Sequence, residues 1–173
     1  MSFTLHDALV PTWQQILGSM TRLLDKAQAH SIERNLPDST LIDARLADDM
    51  LPFGYQIKSV VVHSVGAIQG VRNGLFSPDL SPWPDSFVGL KDQVSNAMTA
   101  LEKINPNEIN GFLGRDMRFE IGERRMDFTA ENFLLSFSMP NFFFHATTAY
   151  DILRHKGLTI GKRDFIGKPR VKS

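Results

Sequence analysis

The sequence predicts an all-α fold: a four-helix bundle with long crossovers and a small β-hairpin inserted before the last helix. Three observations predict it. Apolar residues recur at steps of three and four over four separate long stretches, as a helix with one buried face requires. One short stretch, Met117 to Phe128, changes to strict alternation, the period of a strand. No internal repeat or low-complexity tract interrupts the pattern, and 173 residues with 42 % hydrophobic content suffice for one substantial core, so a single domain over 1–173 is expected.

The first helix is expected to open at a cap formed by Thr4 and Asp7, followed by Leu9, Trp13, Ile16, Met20, Leu23 and Ala27 on one face. Pro11 fits if the helix effectively starts near it, where its missing N–H would be unpaired anyway. Ser31 to Pro52 reads as a long connection lying over the bundle, with Ser39 to Met50 as a short acidic helix. The second helix spans Phe53 to Asn73, with Ile57, Val60, Val61, Val65, Ile68 and Val71 apolar and Gly74 as its stop. Its other face is unusual: Ser59, His63, Gly66, Ala67 and Gly70 leave little bulk except the imidazole, so a neighbouring backbone can approach closely. Each of those helical glycines costs roughly 1 kcal/mol relative to alanine, which asks for a packing or site reason.

Leu75 to Asp85, with three prolines, is loop. Phe87, Leu90, Val94, Ala97, Leu101 and Ile104 mark the third helix, ending at Asn105-Pro106. In the hairpin, Met117, Phe119 and Ile121 alternate with charged residues, Gly122 and Glu123 turn, and Met126 alternates with Phe128. The last helix begins at Thr129, a cap residue, with Glu131 placing negative charge in the first turn. Phe133, Phe137, Phe144 and Thr148, widened by Leu134, Phe143 and Tyr150, make it the central helix. Pro140 predicts a bend in it and Gly157 its end.

Composition narrows the function classes. Nineteen basic and nineteen acidic residues cancel, so no global field draws the chain to nucleic acid or to an anionic membrane, and neither partner is expected. With no cysteine there is no disulfide, thiolate ligand or cysteine nucleophile. No segment resembles a membrane span or a secretory signal, so a cytoplasmic protein is expected. Walker, Rossmann, HExxH and nucleophile-elbow patterns are missing, which leaves the histidines to carry any chemistry.

His6 and His30 sit near the ends of the first helix, where incidental histidines are common. His63, on the small-residue face, points to the bundle interior, either as a core histidine with both nitrogens bonded or as a ligand. Asp151 and His155 are four apart on the last helix, hence neighbours able to hold one metal, or simply a pair that stabilises the helix end. His145 lies ten residues before His155, about 15 Å along the axis, so one metal cannot take both. Arg154, Lys162, Arg163 and Asp164 read either as an anion-binding rim, joined by Tyr150 as a substrate-binding residue, or as a solvated, ion-paired tail. No catalytic residue can be named.

A histidine in the second long helix, a last helix ending in His155-Lys156-Gly157 and a long crossover resemble the DinB/YfiT-like superfamily of bacterial four-helix bundles. The run PNFFFHATTAYDILRHKGLTIGKRDFIG more closely resembles a branch of it known only as a domain of unknown function. The resemblance implies a divalent metal (zinc, nickel, manganese or iron) held by a second-helix histidine and two last-helix histidines four apart, with thiol-transferase-like or hydrolytic activity. Carried onto this chain, it implies His63, Asp151 and His155 as ligands, with aspartate in place of one histidine and His145 as the alternative ligand. It also implies a homodimer. The competing expectation is a metal-free, dimeric bundle with a buried His/Asp hydrogen-bond network or a small-molecule pocket.

Overall fold

The computed structural model describes residues 2–172. Four long helical segments build the bundle: α1 (Leu5–Glu33), the second segment made of α3 (Phe53–Val61) and α4 (Ala67–Asn73), α5 (Phe87–Glu102), and the last segment ending in α8 (Met139–His155). Short helices α2 (Ser39–Ile42), α6 (Pro106–Asn110), α7 (Ala130–Asn132) and α9 (Lys162–Ile166) connect or flank them. One cluster of buried residues from all four segments forms the core, with Trp13, Phe53, Phe87, Phe133 and Phe142 fully enclosed. The predicted helical bundle with its β decoration is therefore the observed one.

Local chemistry explains most boundaries. Thr4 and Asp7 form the expected reciprocal capping box, Thr4 Oγ1 accepting from the Asp7 N–H at 3.2 Å and Asp7 accepting from the Thr4 N–H at 3.1 Å. Pro11 does not mark the start of α1 but lies inside it, seven residues in. Ser86 caps α5 by accepting from the Gly89 N–H, and Asn105 caps α6 with Pro106 in the first turn. Gly74 ends α4 in the left-handed conformation, φ +71°. The acidic helix expected over 39–50 is only the single turn of α2, whose Leu41 and Ile42 are buried beneath the connection. Thr129 precedes α7 as expected, yet its side chain makes no capping bond; Glu131 instead accepts from the Gly114 N–H at 2.9 Å.

Two features were not expected. Both inward segments change winding: Val62–Gly66, midway along the second, and Phe133–Ser138, near the start of the last, are π-helical, the first joining α3 to α4 and the second joining α7 to α8. The sheet also gains a strand. The hairpin pairs β2 (Asp116–Ile121) with β3 (Arg124–Thr129) around Gly122, and β1 (Leu75–Phe76) adds to β2 in parallel, giving the order β1-β2-β3. Gly70 lets β1 in: a Cβ there would lie 3.0 Å from Cβ and Cδ2 of Phe76. That is the packing reason for one glycine of the small-residue face.

Candidate functional site

The two π turns are joined by the bond from the Ser138 hydroxyl to the His63 carbonyl, and His63, in the first turn, meets His145 of α8. Their rings stack at 5.7 Å with 15° between planes. His63 is packed further against Phe76 (5.5 Å) and Phe137 (6.1 Å), and His145 meets Tyr55 edge-on at 5.8 Å. A pocket of about 170 Å³ opens here, lined by both histidines, Tyr55, Lys58, Ser59, Phe76, Asp79, Phe119, Phe137 and Asn141 among others. A larger hollow of about 550 Å³ lies on the outer side of the sheet, but its Arg118 and Asp127 already satisfy each other at 2.6 Å.

The partners of the histidines assign their protons. Buried Gln56 donates its amide nitrogen to the Leu51 carbonyl at 2.7 Å, which turns its Oε1 toward His145 Nδ1 at 2.7 Å. An amide oxygen only accepts, so His145 carries its proton on Nδ1. Ser138, fully buried, spends its single proton on the His63 carbonyl at 2.9 Å, so its oxygen accepts from His63 Nδ1 across a long 3.4 Å. Both rings thus keep an Nε2 lone pair. Neither Nε2 has a protein partner among the described residues, and both rings line the pocket.

Burial keeps the pair neutral. Desolvation pushes His63 down to about 3, helped by the charge His145 would carry, and the same desolvation pushes His145 down to about 4. Asn141 lies one turn before His145 on the same face and donates its amide nitrogen to the Phe137 carbonyl at 2.8 Å, leaving its Oδ1 without a partner among the described residues.

The loop between β1 and α5 closes one side. Lys58 is only 3 % exposed, and its ammonium donates to the Asp79 carbonyl (2.8 Å), to Ser81 Oγ (3.1 Å) and to the Ser81 carbonyl, and pairs with the Asp79 carboxylate at 3.2 Å. Hydrogen bonds from Ser81, then Lys58, hold Asp79 below the usual carboxylate range. Trp83 packs where a Cβ on Gly54 would sit and meets Tyr55 edge-on at 5.9 Å.

Of the residues singled out from the sequence, the structure brings together His63 and His145 and leaves the others elsewhere. Asp151 is half-buried and His155 exposed at the far end of α8, ten residues and about 15 Å along the axis from His145. Tyr150 packs edge-on against Phe165 of α9 at 5.9 Å, Arg154 donates to the Leu158 carbonyl at 3.2 Å, and Lys162 is exposed at the start of α9. None of these five lines the pocket. Gln56, Ser138 and Asn141 were missed; only the four-residue step from Asn141 to His145 signalled one of them in the sequence.

Comparison with curated proteins finds no match. The crystal structure of a DinB family member protein from Shewanella denitrificans superposes with a TM-score of 0.80, at 22 % identity, over 98 % of this chain and 95 % of that one; at that identity the likeness is one of fold. The model of a domain of unknown function, DUF1993, matches residues 5–166. With nearly the whole chain inside that match, the protein belongs to the DUF1993 family and carries it on a DinB-like helical bundle.

Proposed function

We propose that the protein is a metal-free binding protein whose site is the pocket between α3 and α8, and that its ligand is a small, uncharged, single-ring molecule bearing hydrogen-bond donors. The observation that carries this reading is the pair of open Nε2 lone pairs on two neutral, stacked imidazoles. The remaining polar lining is also rich in acceptors: Asn141 offers Oδ1, Asp79 a carboxylate, and the Lys58 ammonium is already committed to the loop. Phe76, Phe119 and Phe137 supply flat apolar walls. A cavity of about 150 Å³ is enough to admit benzene, so about 170 Å³ suits one ring.

The metal expected from the superfamily fits this donor set poorly. Catalytic zinc sites draw on three protein ligands, whereas the described residues include no cluster of three or more His, Cys, Asp or Glu side chains placed to hold an ion. Two imidazoles and one neutral amide remain, and the one carboxylate of the lining, Asp79, is already held by the Lys58 ammonium at 3.2 Å and the Ser81 N–H at 2.9 Å.

The test combines elemental analysis of purified protein with ligand titration. Phenol and uracil, which donate hydrogen bonds, are expected to shift the ring NMR signals of both His63 and His145 and to change Trp83 fluorescence, with benzene acting more weakly. No response at millimolar concentration from either donor would sink the binding reading. Near one metal per chain, retained in the wild type and lost in His63→Ala, would overturn the metal-free one.

A further inference from the structure

The zero net charge hides a strong asymmetry. From Arg154 to the C-terminus the chain carries seven Lys or Arg residues against one acidic residue, a net +6, and the remainder carries −6. The fold lays this segment along one helix. Leu158, Thr159 and Ile160 lie against Lys26 and His30 near the end of α1; Asp164 pairs with Lys26 at 2.6 Å; Gln15 donates to the Ile166 carbonyl at 2.9 Å; Arg170 donates to the Pro11 carbonyl at 2.7 Å. The segment therefore runs antiparallel down α1 from residue 30 to residue 11, about 28 Å at 1.5 Å per residue. Gly167, at φ +68°, seats it closely, since a Cβ there would meet Ser19 and Arg22.

All seven cationic residues of the segment are exposed, and among the described residues none of them forms an ion pair. Arg22 of α1 adds an eighth exposed charge. The acidic groups on these elements are otherwise engaged or at the margins: Asp164 with Lys26, Asp25 with Lys91, Asp7 in the α1 cap, Asp151 half-buried and Glu33 at the far end. Val171 (80 % exposed) adjoins Arg170, and two further exposed apolar residues, Phe3 (80 %) just before α1 and Ile32 (71 %) in its last turn, lie near the two ends of the stripe.

We propose that this basic edge docks the protein, reversibly and from one side, on an anionic lipid surface. The charges match a polyanion, and the flanking phenylalanine, valine and isoleucine favour lipid over nucleic acid, because a bilayer interface accepts apolar side chains and a phosphodiester backbone does not. The docking is independent of the pocket, none of whose lining residues belongs to this segment.

The experiment is co-sedimentation of the full chain with vesicles of phosphatidylcholine alone or with about 30 % phosphatidylglycerol. Binding is expected only to the anionic vesicles at low salt and is lost at high salt. Lys156→Glu, Lys162→Glu and Lys168→Glu together are expected to weaken it by at least about 100-fold, from about fivefold per basic residue near the surface. Phe3→Ser and Val171→Ser, which leave every charge in place, are expected to weaken it further. Circular dichroism checks that each variant folds. Equal binding to both vesicles, no binding at low salt, or duplex DNA outcompeting the vesicles would each overturn the proposal.

Discussion

Acidification from pH 8 to pH 5 is expected to destabilise the protein through His63 and His145. Their folded values, about 3 and about 4, lie below the ordinary value of 6.5. Between those values and 6.5 the unfolded chain holds more protons than the native one, so stability is fully present above about pH 7.5 and falls as the pH drops. At pH 5 each ring contributes a penalty of about 2 kcal/mol by that relation, at 1.4 kcal/mol per unit. Both rings are partly exposed, and discounting for solvent screening leaves about 2–3 kcal/mol for the pair. The carboxylates with lowered values, among them Asp79, Glu108 and Asp164, change the balance only below about pH 4.5, so the window above pH 5 isolates the histidines. Urea unfolding at pH 8, 6.5 and 5 reads the effect, with the His63→Gln/His145→Gln double variant as the comparison. If the wild type shows the same pH dependence as the double variant, or if either ring's Cε1 proton titrates near 6.5, the neutral stacked pair is wrong.

Two further outcomes follow from packing. Gly70→Ala is expected to destabilise by about 1–3 kcal/mol, since its new methyl would press on Phe76 at 3.0 Å and Met117 at 3.3 Å and outweigh the gain in helix propensity. Gly66→Ala meets only ordinary contacts at 3.7–3.9 Å and should gain up to about 1 kcal/mol; thermal melts that rank the two the other way would refute the close approach of β1. Lys58→Met removes the ammonium that four loop oxygens share, with an expected cost of about 2–3 kcal/mol. Limited proteolysis should then cut faster near Leu80, which is 87 % exposed, and an unchanged cleavage rate would show that Trp83 and Pro84 alone hold the loop.

The long helices, their capping box, the hairpin and the close approach at Gly70 were legible because each follows from periodicity or from one residue's backbone chemistry. The β1 strand was not: two residues in a proline-rich stretch carry no period, and their pairing with β2 depends on contacts distant in the chain. The π turns were illegible for a related reason. Each inserts a residue without changing composition, so a wheel drawn through Val62–Gly66 or Phe133–Ser138 assumes a winding that the chain does not have. The site was half legible. His63 stood out on its small-residue face, whereas His145 sits among three phenylalanines, in a run that reads as core. Asp151 and His155 carry the resemblance at the helix end and keep their four-residue spacing, but neither lines the pocket.

The alternative account of His63 is a core histidine with both nitrogens satisfied, and its surroundings favour the proposed site over that account. A purely structural imidazole in a bundle interior minimises its cost by bonding at both nitrogens. Here one nitrogen of each ring is tied to a buried partner, Ser138 or Gln56, while the other has no protein partner among the described residues and both rings line the same pocket. The two π turns serve this arrangement at a level where regular helices would not need them. The Ser138 hydroxyl of one turn bonds the His63 carbonyl of the other, locking the segments together where their winding is weakest. Irregular helix, fixed tautomers and open lone pairs thus coincide at one level of the bundle. Stability alone requires none of the three, and π turns recur where a helix has been bent to a function.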